Sequence, residues 1–251
     1  MFDQRTVERA TNQNLSYNVG TDFYINKKNT LGFRIDGTLG NAVPYRTGNN
    51  YLSDNSAGYE ILEFVSIRPN DWTYNNYNLN SEHLLDTLGS KIKFSADYSK
   101  SFDLYQVSLE NHFRDKDLNE TLDQKIIRTH NTLDFSLYSA KVDLEKKFSP
   151  TLGIEAGLKE NYQQMLSDFI FEDKDPHTGI YNIDTNFSNV FAYNERVDAG
   201  YFNFQKQFKT LGLQFGLRGE NTTVSAESRT SKVNFTRQYF QIFPVISFDY
   251  N

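Results

Sequence analysis

Residues 210–222, TLGLQFGLRGENT, alternate almost without error: Leu211, Leu213, Phe215 and Leu217 fall on one beat, and Gly212, Gln214, Gly216, Arg218 and Glu220 on the other. A period of two belongs to the β-strand, whose successive side chains leave on opposite faces; a helix would scatter those four apolar residues around its axis. The stretch is therefore a strand with one oily face and one wet face. The same beat recurs along most of the chain, which restricts it to an all-β fold.

Leu15, Tyr17, Val19, Phe23 and Ile25 lead through NKKNT into Leu31, Phe33, Ile35 and Leu39, with Arg34 and Asp36 on the opposite beat, as in a hairpin. A second hairpin is expected from KIKFSADYS into LYQVSLENHF across KSFD at 100–103, and a third from YSAKVDLEKKF into TLGIEAGLKENY, where Leu152, Ile154 and Leu158 oppose Glu155 and Lys159. ERVDAGYFNFQKQF then leads into the 210–222 strand, with Phe202 and Phe204 interrupting its pattern. Weaker strands are expected over 61–67, 72–84 and 239–250.

The connections fall into two kinds. NKKNT (26–30), KSFD (100–103), KFSPT (147–151) and FKT (208–210) are short, whereas 43–58, 114–124, 172–186 and 225–234 are long and polar. In an up-and-down meander alternate connections emerge at the same end, so one rim would carry tight turns and the other long loops, as in outer-membrane barrels. Nine residues from Leu211 to Gly219 span about 30 Å of strand, or about 23 Å along the axis at a tilt of roughly 40°, against a lipid band of about 25 Å. Phe23, Tyr24, Tyr98, Phe102, Phe148 and Phe208 lie near strand ends, where an interfacial aromatic girdle would place them. The expected fold is part of an antiparallel up-and-down transmembrane β-barrel, a partial barrel of about ten to twelve strands.

Hydropathy does not detect such a fold. The mean is −0.63, although Phe and Tyr carry the aromatic content to 15%, and no run of about 18 apolar residues exists to cross a membrane as a helix. A net charge of −6 argues against a nucleic-acid partner, which would call for a basic patch. With no cysteine, disulfides and thiolate metal sites are excluded.

In the barrel reading Leu31, Phe33, Ile35, Leu152, Ile154, Leu158, Leu211, Leu213, Phe215 and Leu217 face lipid, while Arg34, Asp36, Glu155, Gln214, Arg218 and Glu220 face the lumen, joined by Lys91, Lys93, Asp143 and Lys159. Charges of both signs in a dry interior would carry a large desolvation cost, so the lumen is expected to be wide and wet or filled by a polar plug. The competing reading is a soluble β-sandwich that binds carbohydrate or protein through its long loops; there the same charges face solvent.

INKKNTLGF (25–33), LYSAKVDLEKKFSPTLGIEAGLK (137–159), YNERVDAGYFNFQKQFKTLGLQFGLRGENT (193–222) and RQYFQIFPVISFDY (237–250) together resemble the barrel region of TonB-dependent-receptor-like outer-membrane proteins of the Bacteroidetes type. The resemblance implies a bacterial outer-membrane location and uptake of a nutrient, with outer-membrane lipid, a plug domain and an energy-transducing inner-membrane complex as partners. Neither plug nor signal peptide is legible in residues 1–251, so the chain is expected to be a barrel fragment.

Signals of catalysis are sparse. His83, His112, His130 and His177 lack paired metal spacing, and no nucleophile elbow, phosphate loop or cofactor motif occurs. Glu172, Asp173 and Asp175 cluster in one loop without the ligand ladder of a calcium loop. A non-enzymatic role without cofactor is the expectation.

Overall fold

The alternating segments all fold as antiparallel strands of one sheet. The computed structural model describes residues 2–54, 58–115, 117, 119, 120 and 124–250. Its elements are β1 (Phe2–Asn26), β2 (Asn29–Asp54), β3 (Gly58–Ile67), β4 (Asn70–Leu84), β5 (Lys91–Asp115), β6 (Lys125–Ser149), β7 (Leu152–Lys174), β8 (Tyr181–Ile183), β9 (Asn189–Gln207), β10 (Leu211–Ser228) and β11 (Val233–Tyr250). The strands follow chain order across the sheet, except that β3 and β4 do not pair with each other and β8 is a short addition to β7. β3 and β4 occupy one position between β2 and β5, broken at Arg68 and Pro69. Proline has no N–H to give a ladder; Arg68 N–H instead donates to the Pro44 carbonyl, and the Pro69 carbonyl accepts from Gln106.

No second layer covers the sheet among the described residues. Among the described residues the buried apolar side chains are Ile61, Ile126 and Ala199, whereas Leu158 is 70% exposed and Phe215 44%. A soluble sandwich holds its core between two sheets about 10 Å apart, so this single-layer sheet excludes that reading.

The strands slant in a regular way. Residues opposite each other in an antiparallel pair share a face. The row that starts at Asn29, the first residue of β2, runs through His83, Ile92, Leu144, Ala156 and Phe202 to Leu217, six residues above the start of β10 after six steps. One residue of offset (~3.3 Å) per strand (~4.8 Å) gives a tilt of about 35° once the short-turn rim is set perpendicular to the axis. Membrane barrels tilt their strands by roughly 35–45°.

Several expectations are corrected. KSFD is not a turn: β5 runs unbroken for 25 residues through it. Below it the apolar residues are Ile92, Phe94, Ala96 and Tyr98, and above it Tyr105, Val107 and Leu109, on the other beat; this change of phase inside one strand imitates a break. The turn at that rim is instead 85–90, where Asp86 accepts from the backbone N–H groups of Leu88 and Ser90. The long loop expected over 225–234 is a short turn between β10 and β11, with Lys232 at a φ of 56°. Most of 43–58 is strand, since β2 reaches Asp54; residues 55–57 lie outside the described residues. Phe202 and Phe204 do not interrupt the pattern, because they stand opposite Leu217 and Phe215 on the apolar face.

Candidate functional site

The sheet brings all ten residues expected to face lipid onto one face. Phe33 leads to Leu79 and Ala96, Val142 stands opposite Leu158, Ile154 opposite Phe204, and Phe204 opposite Phe215. The six residues expected in the lumen share the other face, which is concave: one cavity of about 470 Å³ is lined from Asn76 of β4 to Val197 of β9, across five adjacent strands. The concave face is tightly packed and polar. Tyr201 donates to Asp143 and to Glu155 at 3.2 Å, and a Cβ added at Gly157 would lie 2.5 Å from an Asp143 carboxylate oxygen.

A row of tyrosines crosses the convex face. Tyr77, Tyr98, Tyr138 and Tyr162 stand in register on β4, β5, β6 and β7, with ring centroids 5.9, 4.9 and 6.2 Å apart. Below this row, toward the short turns, ion pairs between strand residues lie on the concave face: Lys91–Glu82 at 2.9 Å, Lys141–Asp143 at 2.7 Å, Arg218–Glu220 at 2.5 Å, and Lys93–Glu145. At and above it ion pairs also appear on the convex face, as Lys100–Asp134, Arg128–Glu172 at 2.6 Å and Arg196–Glu160 at 3.1 Å, while Lys125–Asp173 at 3.8 Å and Glu8 with Arg46 and Arg68 stay on the concave face.

The apolar residues make the opposite exchange. Above the tyrosines the concave face carries the row Tyr74, Ser101, Phe135, Met165, Tyr193, Ala226 and Phe235. Trp72, the single tryptophan of the chain, lies two residues above Tyr74 on the same face. These wall residues were not legible as a site, because the signal that marks them is the phase change itself, visible only once the register is known.

Catalytic or metal chemistry finds no constellation among the described residues, where no group of three metal-ligating side chains converges. The acidic loop cluster is dispersed: Glu172 is engaged by Arg128, Asp173 lies 3.8 Å from the Lys125 ammonium on the other face, and Asp175 accepts from the backbone of His177 and Thr178 at 2.8 Å. Those two N–H groups hold the Asp175 carboxyl below its ordinary pKa. Glu172 is lowered as well, chiefly by the hydrogen bond from Arg128.

A tilted single-layer sheet with an apolar convex band and a charged concave face is the geometry of a membrane barrel wall. Residues 83–251 match the model of the outer membrane protein beta-barrel family. The chain belongs to this family. It is accordingly a transmembrane β-barrel protein of the bacterial outer membrane.

Solved structures that resemble this family member include BauA, the ferric preacinetobactin receptor of Acinetobacter baumannii, at 11% identity and a TM-score of 0.47, covering 98% of this chain and 44% of the receptor. The alcaligin receptor FauA of Bordetella pertussis is 11% identical with a TM-score of 0.46, covering 100% and 40%. The ferric citrate transporter FecA is 10% identical with a TM-score of 0.39, covering 98% and 42%. The chain thus spans less than half the length of these receptors. No curated protein matches it in sequence.

Proposed function

We propose that residues 1–251 form part of the barrel wall of a TonB-dependent-receptor-like importer of the Bacteroidetes type, which takes up a nutrient across the outer membrane. The convex residues Leu31, Phe33, Ile35, Leu152, Ile154, Leu158, Leu211, Leu213, Phe215 and Leu217 meet lipid, and Arg34, Asp36, Glu155, Gln214, Arg218 and Glu220 line the lumen. The observation that carries this reading is the exchange of polarity at the tyrosine row. A sheet apolar outside and charged inside over about 25 Å, then charged outside and aromatic inside, suits strands that leave lipid for water at that level. The charged lower lumen suits a polar plug, and the aromatic upper wall suits first contact with the nutrient. The role is binding and gated passage, without catalysis or cofactor.

Deletion of the gene is expected to abolish energy-dependent accumulation of one nutrient too large for porins, with the intact gene restoring it and a protonophore blocking it. Uptake that survives deletion for every nutrient tested, or that ignores the protonophore, overturns the proposal.

A further inference from the structure

The short-turn rim is basic. Residues 26–29, 85–90, 146–151 and 206–210 hold Lys27, Lys28, Lys146, Lys147, Lys206 and Lys209 against a single carboxylate, Asp86. The chain as a whole carries a net charge of −6, so this excess of cations is local to the rim. Exposed apolar side chains stand among the lysines: Tyr24, Leu88, Phe148 and Phe208.

Two of the lysines lie on the convex face, among residues assigned to lipid. Lys146 stands in register with Ile154, Phe204 and Phe215, and Lys206, one row nearer the rim, with Leu152 and Leu213. A lysine in such surroundings bends its stem along the apolar surface to bring its charge to the interface, where it needs an anion. Lys146 finds one within the chain, the Asp86 carboxylate at 2.8 Å. Lys206 forms no ion pair among the described residues. Its ammonium reaches down to the turn, 3.4 Å from the Thr151 hydroxyl and 5.8 Å from the centre of the Phe208 ring. Lys209, in the adjoining turn, is exposed and likewise without an ion pair among the described residues.

We propose that Lys206, with Thr151 and Lys209, binds the phosphate of an anionic phospholipid of the periplasmic leaflet, one acyl chain lying over Leu152, Phe204 and Leu213. The inference rests on the assignment of the convex face to lipid. Short turns lie on the periplasmic side of outer-membrane barrels, where the leaflet is phospholipid, and this selects a phosphate as the missing anion. Two cations with no carboxylate between them select a headgroup of net negative charge over a zwitterionic one, whose ammonium they repel. Lys146 supplies the contrast on the same face: neutralised by Asp86, it leaves no charge for a headgroup to meet.

The test is native mass spectrometry of the intact protein, delipidated in mild detergent and titrated separately with phosphatidylglycerol and phosphatidylethanolamine. The first phosphatidylglycerol should be retained about fivefold better than phosphatidylethanolamine, the ratio that one lysine beside an anionic headgroup supplies. The Lys206→Gln, Lys209→Gln double variant should erase that preference, and Lys100→Gln, at the opposite limit of the apolar band, should keep it. Equal retention of the two phospholipids by the wild type, an unchanged preference in the double variant, or as large a loss in Lys100→Gln overturns the site. A spin label at position 215 that collides with a water-soluble nickel chelate rather than with oxygen would instead overturn the lipid assignment of the face.

Discussion

Tyr98 of β5 and Tyr138 of β6 stand opposite each other with rings stacked 4.9 Å apart, and the ion pairs of their two strands change face across them. Lys93 and Glu145 pair below on the concave side; Lys100 and Asp134 pair above on the convex side. This crossing point marks the upper limit of the apolar band. A cross-strand aromatic pair contributes about 0.5–1.5 kcal/mol beyond its burial. A double-mutant cycle of Tyr98→Ala and Tyr138→Ala, read by urea unfolding in lipid vesicles, should return a coupling in that range, and a coupling of zero would show the stack to be incidental.

The register sets depth, and depth sets the cost of a charge. Phe215 lies four residues above the start of β10, near the middle of the band, whereas Leu211 is at its lower edge. Phe215→Arg should cost roughly 2–4 kcal/mol and Leu211→Arg about 0–1 kcal/mol, with Gln214→Arg on the concave face close to neutral. The same unfolding assay checks the gradient; equal costs at 211, 214 and 215 would contradict it.

The turn at 85–90 is tied to β6 by a titratable group. Asp86 accepts from Lys146 at 2.8 Å and from Ser90, and these bonds, that of Lys146 foremost, hold its carboxyl well below the ordinary aspartate range. A depressed carboxylate contributes stability at pH values above its unfolded pKa of about 4 and loses it as pH falls through the lower folded value. Thermal unfolding of the wild type should therefore weaken below about pH 4 in a way that Asp86→Asn does not. Parallel pH profiles for the two would remove Asp86 from the account.

Trp72 reports the upper concave wall without interference from other tryptophans. Its fluorescence should be quenched by acrylamide from water and not by lipids brominated along their acyl chains. Quenching by the brominated lipids would place that wall against the membrane.

The alternation made the strands, their two faces and the hairpins at 26–30, 147–151 and 208–210 legible, because a period of two is a local property of the chain. What pairing alone reveals stayed hidden. The tyrosine row joins residues 77, 98, 138 and 162, whose alignment depends on register. The phase change after Tyr98 looked like a turn because a strand that crosses from lipid into water inverts its pattern without bending. Glu160 and Asp198, on the apolar beat of their strands, read as noise until the sheet set them side by side.

The central claim is that the convex face meets hydrocarbon and the concave face meets water, and adjacent positions on β10 test it directly. The chain has no cysteine, so single Phe215→Cys and Gln214→Cys variants of the intact protein can be spin-labelled in bilayers and their collisions measured with oxygen and with a water-soluble nickel chelate. Oxygen should dominate at 215 and the nickel chelate at 214. The reverse order, or the same environment at both positions, would contradict the assignment.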